Sequence, residues 1–212
     1  LSLYRGAILS PVNENEEKIR SIIEKYKTDE FEIIFDPQLY FPSAQRGMLP
    51  QWTYFPSDVD TADQSSFRWW RSILPEVVNT AAKLQTQYAC APAIVPRIYS
   101  DDYYSMNQVV AEIFQDSISR YEVKAIQTLI IRLSDLTERN RPAEIASITS
   151  SGTVDRIFLV LISDIPPRRE IQNTDELQGA MRLIRFLTSA NIHVLVGFSS
   201  SDVILWKFAG AQ

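Results

Sequence analysis

An α/β fold, with a parallel sheet of repeated strand–helix units, is predicted by three features of the sequence. Short apolar runs rich in Ile, Val, Leu and Phe recur along the chain, and each is followed by a stretch with apolar residues at helical spacing. Four of these runs close on a Ser-Asp pair: Tyr99-Ser100-Asp101, Leu133-Ser134-Asp135, Ile162-Ser163-Asp164 and Ser200-Ser201-Asp202. Two runs, Ala125–Leu133 and Arg156–Ile162, are nearly continuous in apolar residues, as strands covered on both faces require.

Tyr4–Ser10 reads as the first strand, ended by Pro11. Asn13 or Asn15 then caps a helix over Glu16–Tyr26, where Ile19, Ile22, Ile23 and Tyr26 share a face and acids load the first turn. Phe31–Asp36 is the second strand, stopped by Pro37. Leu39–Ser66 breaks the rhythm. It carries Pro42, Gly47, Pro50 and Pro56 among Tyr40, Phe41, Trp52, Tyr54 and Phe55, and is expected to be a long aromatic loop, residues 39–66. Loops of that length in compact domains often carry function.

Phe67–Ala89 is predicted helical, with Trp69, Trp70, Ile73, Leu74, Val77, Val78, Ala81 and Leu84 on a wide apolar face and a kink or break at Pro75. Ala93–Tyr99 is expected to be the third strand, weakened by Pro96, which lacks a ladder donor. Asp102–Tyr121 follows as an amphipathic helix with Val109, Val110, Ile113 and Phe114 turned inward. Ala125–Leu133 is the fourth strand, Thr137–Ser150 a helix after Pro142, and Arg156–Ile162 the fifth strand. Ile165–Asn173, with Pro166 and Pro167, reads as a second irregular loop. Thr174 caps a helix over Asp175–Ser189, Ile192–Phe198 is the sixth strand, and Asp202–Ala209 begins a last helix.

Two architectures take such units: an open doubly wound sheet and a (β/α)8 barrel lacking two of its units. The stretch VLVGFSSSDVILWKFAGAQ, Val194–Gln212, resembles the late strand–turn–helix of (β/α)8 barrels: an apolar strand, a small-residue turn, then a helix running into Gly-Ala. The resemblance implies the barrel topology and names no particular enzyme. The chain is therefore expected to be a single truncated barrel-like domain, residues 1–212, and a portion of a longer protein, since it opens on Leu1.

A net charge of −5 argues against sequence-independent nucleic-acid binding, which needs a basic footprint. The single cysteine, Cys90, excludes an intrachain disulfide, and a buried inert thiol is its expected state. No apolar stretch reaches the length of a membrane span, and the start lacks the charged and apolar regions of a signal peptide. A cytoplasmic location is expected. With six glycines, no P-loop and no G-x-G-x-x-G after a strand, neither ATP nor NAD is indicated. No His-x-x-x-His or Cys-x-x-Cys marks a zinc site, whereas a divalent metal held by carboxylate oxygens stays open.

In either architecture ligands sit at the carboxyl ends of the strands. That places Ser10, Asn13, Asp36, Gln38, Arg97, Asp101, Arg132, Asp135, Asp164 and Ser199–Asp202 as candidates. The Ser-Asp pairs have two readings: helix caps, or a ring of carboxylates around one mouth. Asp36, Arg97 and Arg132 interrupt apolar strands, and alternation sets each on a face with Ile34, Val95 and Ile130 respectively. They are either a buried ion network or an anion pocket, arginine being suited to bidentate capture of phosphate or carboxylate. His193 opens the sixth strand, on the stability side of a barrel, so a Ser-His-Asp triad is not expected.

The leading expectation is a hydrolase or glycosyl transferase acting on a small polar or nucleoside-like substrate. Asp36, Asp135 and Asp164 are its candidate carboxylates. Arg97, Arg132, Gln38, Asn13, Trp52, Tyr54, Ser199 and Asp202 are its candidate substrate-binding residues. The alternative is a non-catalytic module of a larger assembly, docking on a protein partner through Trp52–Phe55 and the Trp69-Trp70 helix.

Overall fold

The computed structural model describes residues 5–42, 47–57, 66–164, 171 and 173–212. Strands and helices alternate as β1 Gly6–Leu9, α1 Glu16–Tyr26, β2 Glu32–Phe35, α2 Phe67–Leu84, β3 Tyr88–Cys90, α3 Asp101–Ile118, β4 Lys124–Arg132, α4 Arg141–Thr149, β5 Arg156–Ile162, α5 Thr174–Ser189, β6 His193–Val196 and α6 Val203–Ala209. Every strand pairing is parallel, and the strand order follows the chain order. A doubly wound sheet needs a point where the order reverses. None occurs here, so the fold is α/β with the strand succession of a (β/α)8 barrel and six of its units among the described residues. Among those residues no helix is long and apolar enough to cross a membrane.

The chain divides into two compact units: Leu1–Val95 with Val110–Ile126, and Pro96–Val109 with Gln127–Gln212. In the first unit Leu9 stands opposite Phe35, Phe35 opposite Ala89, and Cys90 opposite Ile126. Phe35, Leu39, Val77, Ala81 and Ala89 are fully buried there, as is the thiol of Cys90. Asn15 caps α1 by accepting the Lys18 N–H, and Ser66 caps α2 by accepting that of Trp69. In the second unit Arg132 stands opposite Ile162 and Leu159 opposite Val196. The core here packs Leu129, Ile131, Leu133 and Leu136 against Ile157, Leu159, Leu183, Leu187 and Trp206.

Several element boundaries differ from the sequence expectation. Helix α2 runs unbroken through Pro75 and ends at Leu84, where Gln85 takes a left-handed backbone, φ 54°, and its N–H returns to Ala81 and Ala82. The third strand is therefore Tyr88–Cys90 rather than Ala93–Tyr99. Pro96 deprives the latter run of a ladder donor, and Val95 makes a main-chain bond to Tyr40 instead. Val109 is exposed, because the buried stripe of α3 passes through Tyr104, Val110, Ala111, Phe114 and Ile118. A 3₁₀ turn over Leu133–Thr137 delays α4 to Arg141, with Pro142 in its first turn. Asn173, not Thr174, caps α5 by accepting from Asp175 and Glu176. Asp202 stands at the start of α6 without a side-chain cap bond.

Some expectations fall outside the described residues: Tyr4 in the first strand, residues 43–46 and 58–65 of the long loop, and residues 165–170, with Pro166 and Pro167, and 172 of the second loop.

Candidate functional site

Parallel strands deliver their carboxyl ends to one edge, and in the second unit that edge gathers the polar residues of β4 and β5. Arg132 is the last residue of β4, and its Nε lies 3.3 Å from Asp164 Oδ1, just beyond β5. Ser134 donates its hydroxyl to the other oxygen, Asp164 Oδ2, at 2.6 Å. The Arg132 and Asp164 side chains are 41% and 52% exposed. An ion pair so open to water contributes about 0–1 kcal/mol to stability. The fold gains little from it, and the pair stays accessible to a ligand.

Asp135 follows Ser134 in the 3₁₀ turn and is half-buried. Burial raises its proton affinity above that of an ordinary carboxyl. Arg132 and Arg141 oppose that shift, and Asp164 and Glu138 add to it. Glu176, in the first turn of α5, is pushed in the same direction by burial and by Asp164. The edge thus holds two carboxyls in different surroundings: Asp164, exposed and bonded to a guanidinium and a hydroxyl, and Asp135, half-buried and with its proton affinity raised above that of an ordinary carboxyl.

Beneath them runs a stack of rings closed at each end by a guanidinium. Arg132 lies over Tyr99 at 4.9 Å, Tyr99 meets Tyr103 edge-on at 5.8 Å, Tyr103 meets Tyr104 at 5.2 Å, and Arg141 lies over Tyr104 at 5.5 Å. Burial raises the Tyr99 phenol to about 12, so it stays protonated at neutral pH. Arg141 is anchored outside the stack by Asp101 at 2.6 Å and Glu144 at 3.2 Å. The hydroxyl of Tyr104 is buried and has no hydrogen-bond partner among the described residues.

Next to this cluster is a cavity of about 270 Å³ at the carboxyl ends of β5 and β6, with Leu133, Ser163, Phe198, Ser200, Asp202 and Trp206 in its wall. Leu133 and Ser163 are chain neighbours of Ser134 and Asp164, which puts the cavity at the same end of the strands as the carboxylates, although neither Asp135 nor Asp164 is in its wall. No protein-family model matches the chain, and no curated protein does. The geometry therefore carries the functional argument alone.

The structure brings Arg132, Asp135 and Asp164 to one cluster, and Ser199 and Asp202 to the wall of the adjoining cavity. Asp36, Gln38, Asn13, Trp52 and Tyr54 gather in the first unit. Asp36 is 1% exposed and accepts the Gln38 N–H at 3.0 Å and the Tyr40 hydroxyl at 2.6 Å. Ser10 donates to Gln38 Oε1 at 2.7 Å, and Asn13 donates to Ser10 at 3.3 Å. Trp52 and Tyr54 are buried against Phe35 and donate to the main-chain carbonyls of Pro11 and Pro37. Arg97 is exposed, outside any strand, and has no ion pair among the described residues.

Of the four Ser-Asp endings, two are helix starts. Ser100 accepts the Tyr103 N–H and opens α3, and main-chain carbonyls of Ser200–Asp202 receive the first N–H groups of α6. The other two meet each other through the Ser134–Asp164 bond. Among the described residues no group of three or more His, Cys, Asp or Glu side chains is placed to hold a metal ion. His193 is exposed at the opposite end of β6, bonded to Gln212.

Sequence reasoning did not reach Tyr99, Tyr103, Tyr104, Glu176 and Phe198. The tyrosines carried a readable signal, since Tyr99 and Tyr103 are four apart, as are neighbours on one helix face. Glu176 had none beyond its place in a first helical turn.

Proposed function

We propose that the carboxyl edge of β4–β6 is an acid–base site that hydrolyses or transfers the glycosyl group of a small polar substrate. The observation that carries this reading is the two carboxyls in different surroundings at one strand edge, Asp164 exposed and paired with Arg132, Asp135 half-buried. Asp135, with its raised proton affinity, gives a proton to the leaving atom, oxygen in a glycoside and nitrogen in a nucleoside, as its bond to the anomeric carbon breaks and water or an acceptor hydroxyl bonds to that carbon in its place. Asp164, oriented by Arg132 and Ser134, meets the positive charge that develops at the anomeric carbon. The exposed part of the Arg132 guanidinium receives an anionic group on the substrate. Asp36 stays out of the chemistry: sealed under Tyr40 and Gln38, it fixes the turn after β2.

Hydrolysis of 4-nitrophenyl glycosides and of nucleosides by the full chain tests the reading. The expected result is turnover that Asp164→Asn and Asp135→Asn each lower while the protein stays folded. Turnover unchanged in both variants would overturn it, as would no turnover across the panel.

A second reading, a non-catalytic interaction module, is favoured by α6. Ile204 and Phe208 are 73% and 75% exposed, with Val203 beside them. They replace the Trp52–Phe55 loop as the docking surface of that reading, because Trp52 and Tyr54 are buried. Retention of a protein partner by the parent chain and its loss in Phe208→Glu, with no turnover of any substrate, would favour the module over the enzyme.

A further inference from the structure

Phe198 holds a left-handed backbone conformation that aromatic residues rarely adopt. Five non-glycine residues among those described have a left-handed backbone: Gln38, Gln85, Glu122, Asn191 and Phe198. Gln85, Glu122 and Asn191 close helical segments, where that conformation is ordinary. Phe198 follows β6, with φ 54°, and an aromatic side chain is a poor occupant of that region. The ring is 69% exposed.

The turn instead presents the ring to the cavity. A Cβ on Gly197 would collide with the Phe158 ring, so the chain passes tightly over Phe158 and then turns Phe198 outward. Phe158 backs the ring at 6.2 Å between centroids, tilted by 56°. Backbone strain at a cavity wall is the kind kept at functional sites, and it points to use of the side chain. Around the ring stand Ser163, Ser199, Ser200 and Asp202. Ser200 has no side-chain partner among the described residues, while Asp202 Oδ2 accepts the Ile171 N–H at 3.2 Å.

One flat apolar face rimmed by short hydroxyls and a carboxylate is the chemistry that recognises a pyranose ring. The C–H face of the sugar lies on the aromatic ring, and its hydroxyls exchange hydrogen bonds with the rim. The cavity, about 270 Å³, is at the small end for ligand sites and suits a single ring. We propose that Phe198 is the stacking platform for the pyranose ring of the substrate, held in a strained backbone for that role. This assignment rests on the glycosyl reading of the same edge.

The test pairs a binding measurement with thermal unfolding. Methyl pyranosides of gluco, galacto and manno configuration are titrated into the full chain, followed by ligand-observed NMR, with adenosine as the competing class. Binding of at least one pyranoside is expected, weakened at least tenfold in Phe198→Gly and retained in Phe198→Tyr. Phe198→Gly is also expected to raise Tm by about 2–4 °C, because glycine relieves the backbone. Several results would overturn the proposal: no pyranoside binding, tighter binding of adenosine, equal affinity in Phe198→Gly, or a fall in Tm in that variant. Its failure is separable from that of the acid–base reading. Pyranoside binding that depends on Phe198 without any turnover sinks the chemistry alone. Turnover whose KM ignores Phe198→Gly sinks the platform alone.

Discussion

Asp36 and Asp164 both follow an apolar parallel strand, yet the first is sealed and the second is half exposed. The difference lies in the described side chains around each carboxyl. After β2 the backbone turns at once, Gln38 taking φ 54°, and Tyr40 and Tyr54 close over the carboxyl. Asp164, just beyond β5, has as its partners among the described residues the Arg132 guanidinium at the end of β4 and the Ser134 hydroxyl in the turn beyond it, both at the same edge. One carboxyl is thereby used as a structural knot and the other as an exposed group held in orientation. Position at a strand end makes a residue a candidate. The covering side chains decide which use it has.

The largest effect that would sharpen this contrast is on stability at the sealed edge. Asp36→Ala removes a buried acceptor from the Tyr40 hydroxyl and the Gln38 N–H, and is expected to cost about 3 kcal/mol. Thermal unfolding should show Tm lower by about 6–12 °C. A loss under about 1 kcal/mol would break the comparison from that side.

Asp164→Asn should behave in the opposite way. Turnover is expected to fall about 100-fold, equivalent to about 2.7 kcal/mol, while Tm moves by no more than about 2–4 °C. Equal losses of stability in the two variants would erase the distinction. Gly197→Ala comes next. Its new methyl group meets the Phe158 ring and should cost about 1–3 kcal/mol in urea unfolding, with Phe158→Leu partly restoring the loss.

The smallest effect is a pH dependence. The folded state binds the Asp135 proton more tightly than the unfolded chain does. Its contribution therefore lowers stability as pH rises from the ordinary carboxyl range through the raised value. Asp135→Asn removes that loss. It should melt above the parent at pH 7 and together with it at pH 3, while its turnover falls. A variant less stable than the parent at pH 7 would show that the turn needs the carboxylate.

How much of this was legible in the sequence depended on what each segment does. β5 was read to the residue because a strand covered on both faces is apolar throughout, and α1 because acids, a cap and spacing agree. β3 was misplaced because three residues, Tyr88–Cys90, carry no periodicity of their own and sit in the tail of an apolar helix pattern. The apolar run that drew attention instead, Ala93–Tyr99, has strand-like composition but two prolines at and before it. At the site, Arg132, Asp135 and Asp164 were readable from their position at strand ends. Which Ser-Asp pairs would meet was not, because a local cap and a long-range bond use the same residue types. The buried state of Trp52 and Tyr54 depended on Phe35 and on carbonyls far along the chain. No local pattern encodes that.

Trp206 has a practical consequence. The chain carries four tryptophans, and Trp52, Trp69 and Trp70 all belong to the first unit. The second unit contains a single indole, and it forms part of the cavity wall while remaining almost wholly shielded from solvent. Replacing the other three with phenylalanine would leave one native fluorophore whose emission colour responds to whatever displaces water beside it. The protein thus comes with its own optical gauge of occupancy, and ligands can be screened before any reaction is known.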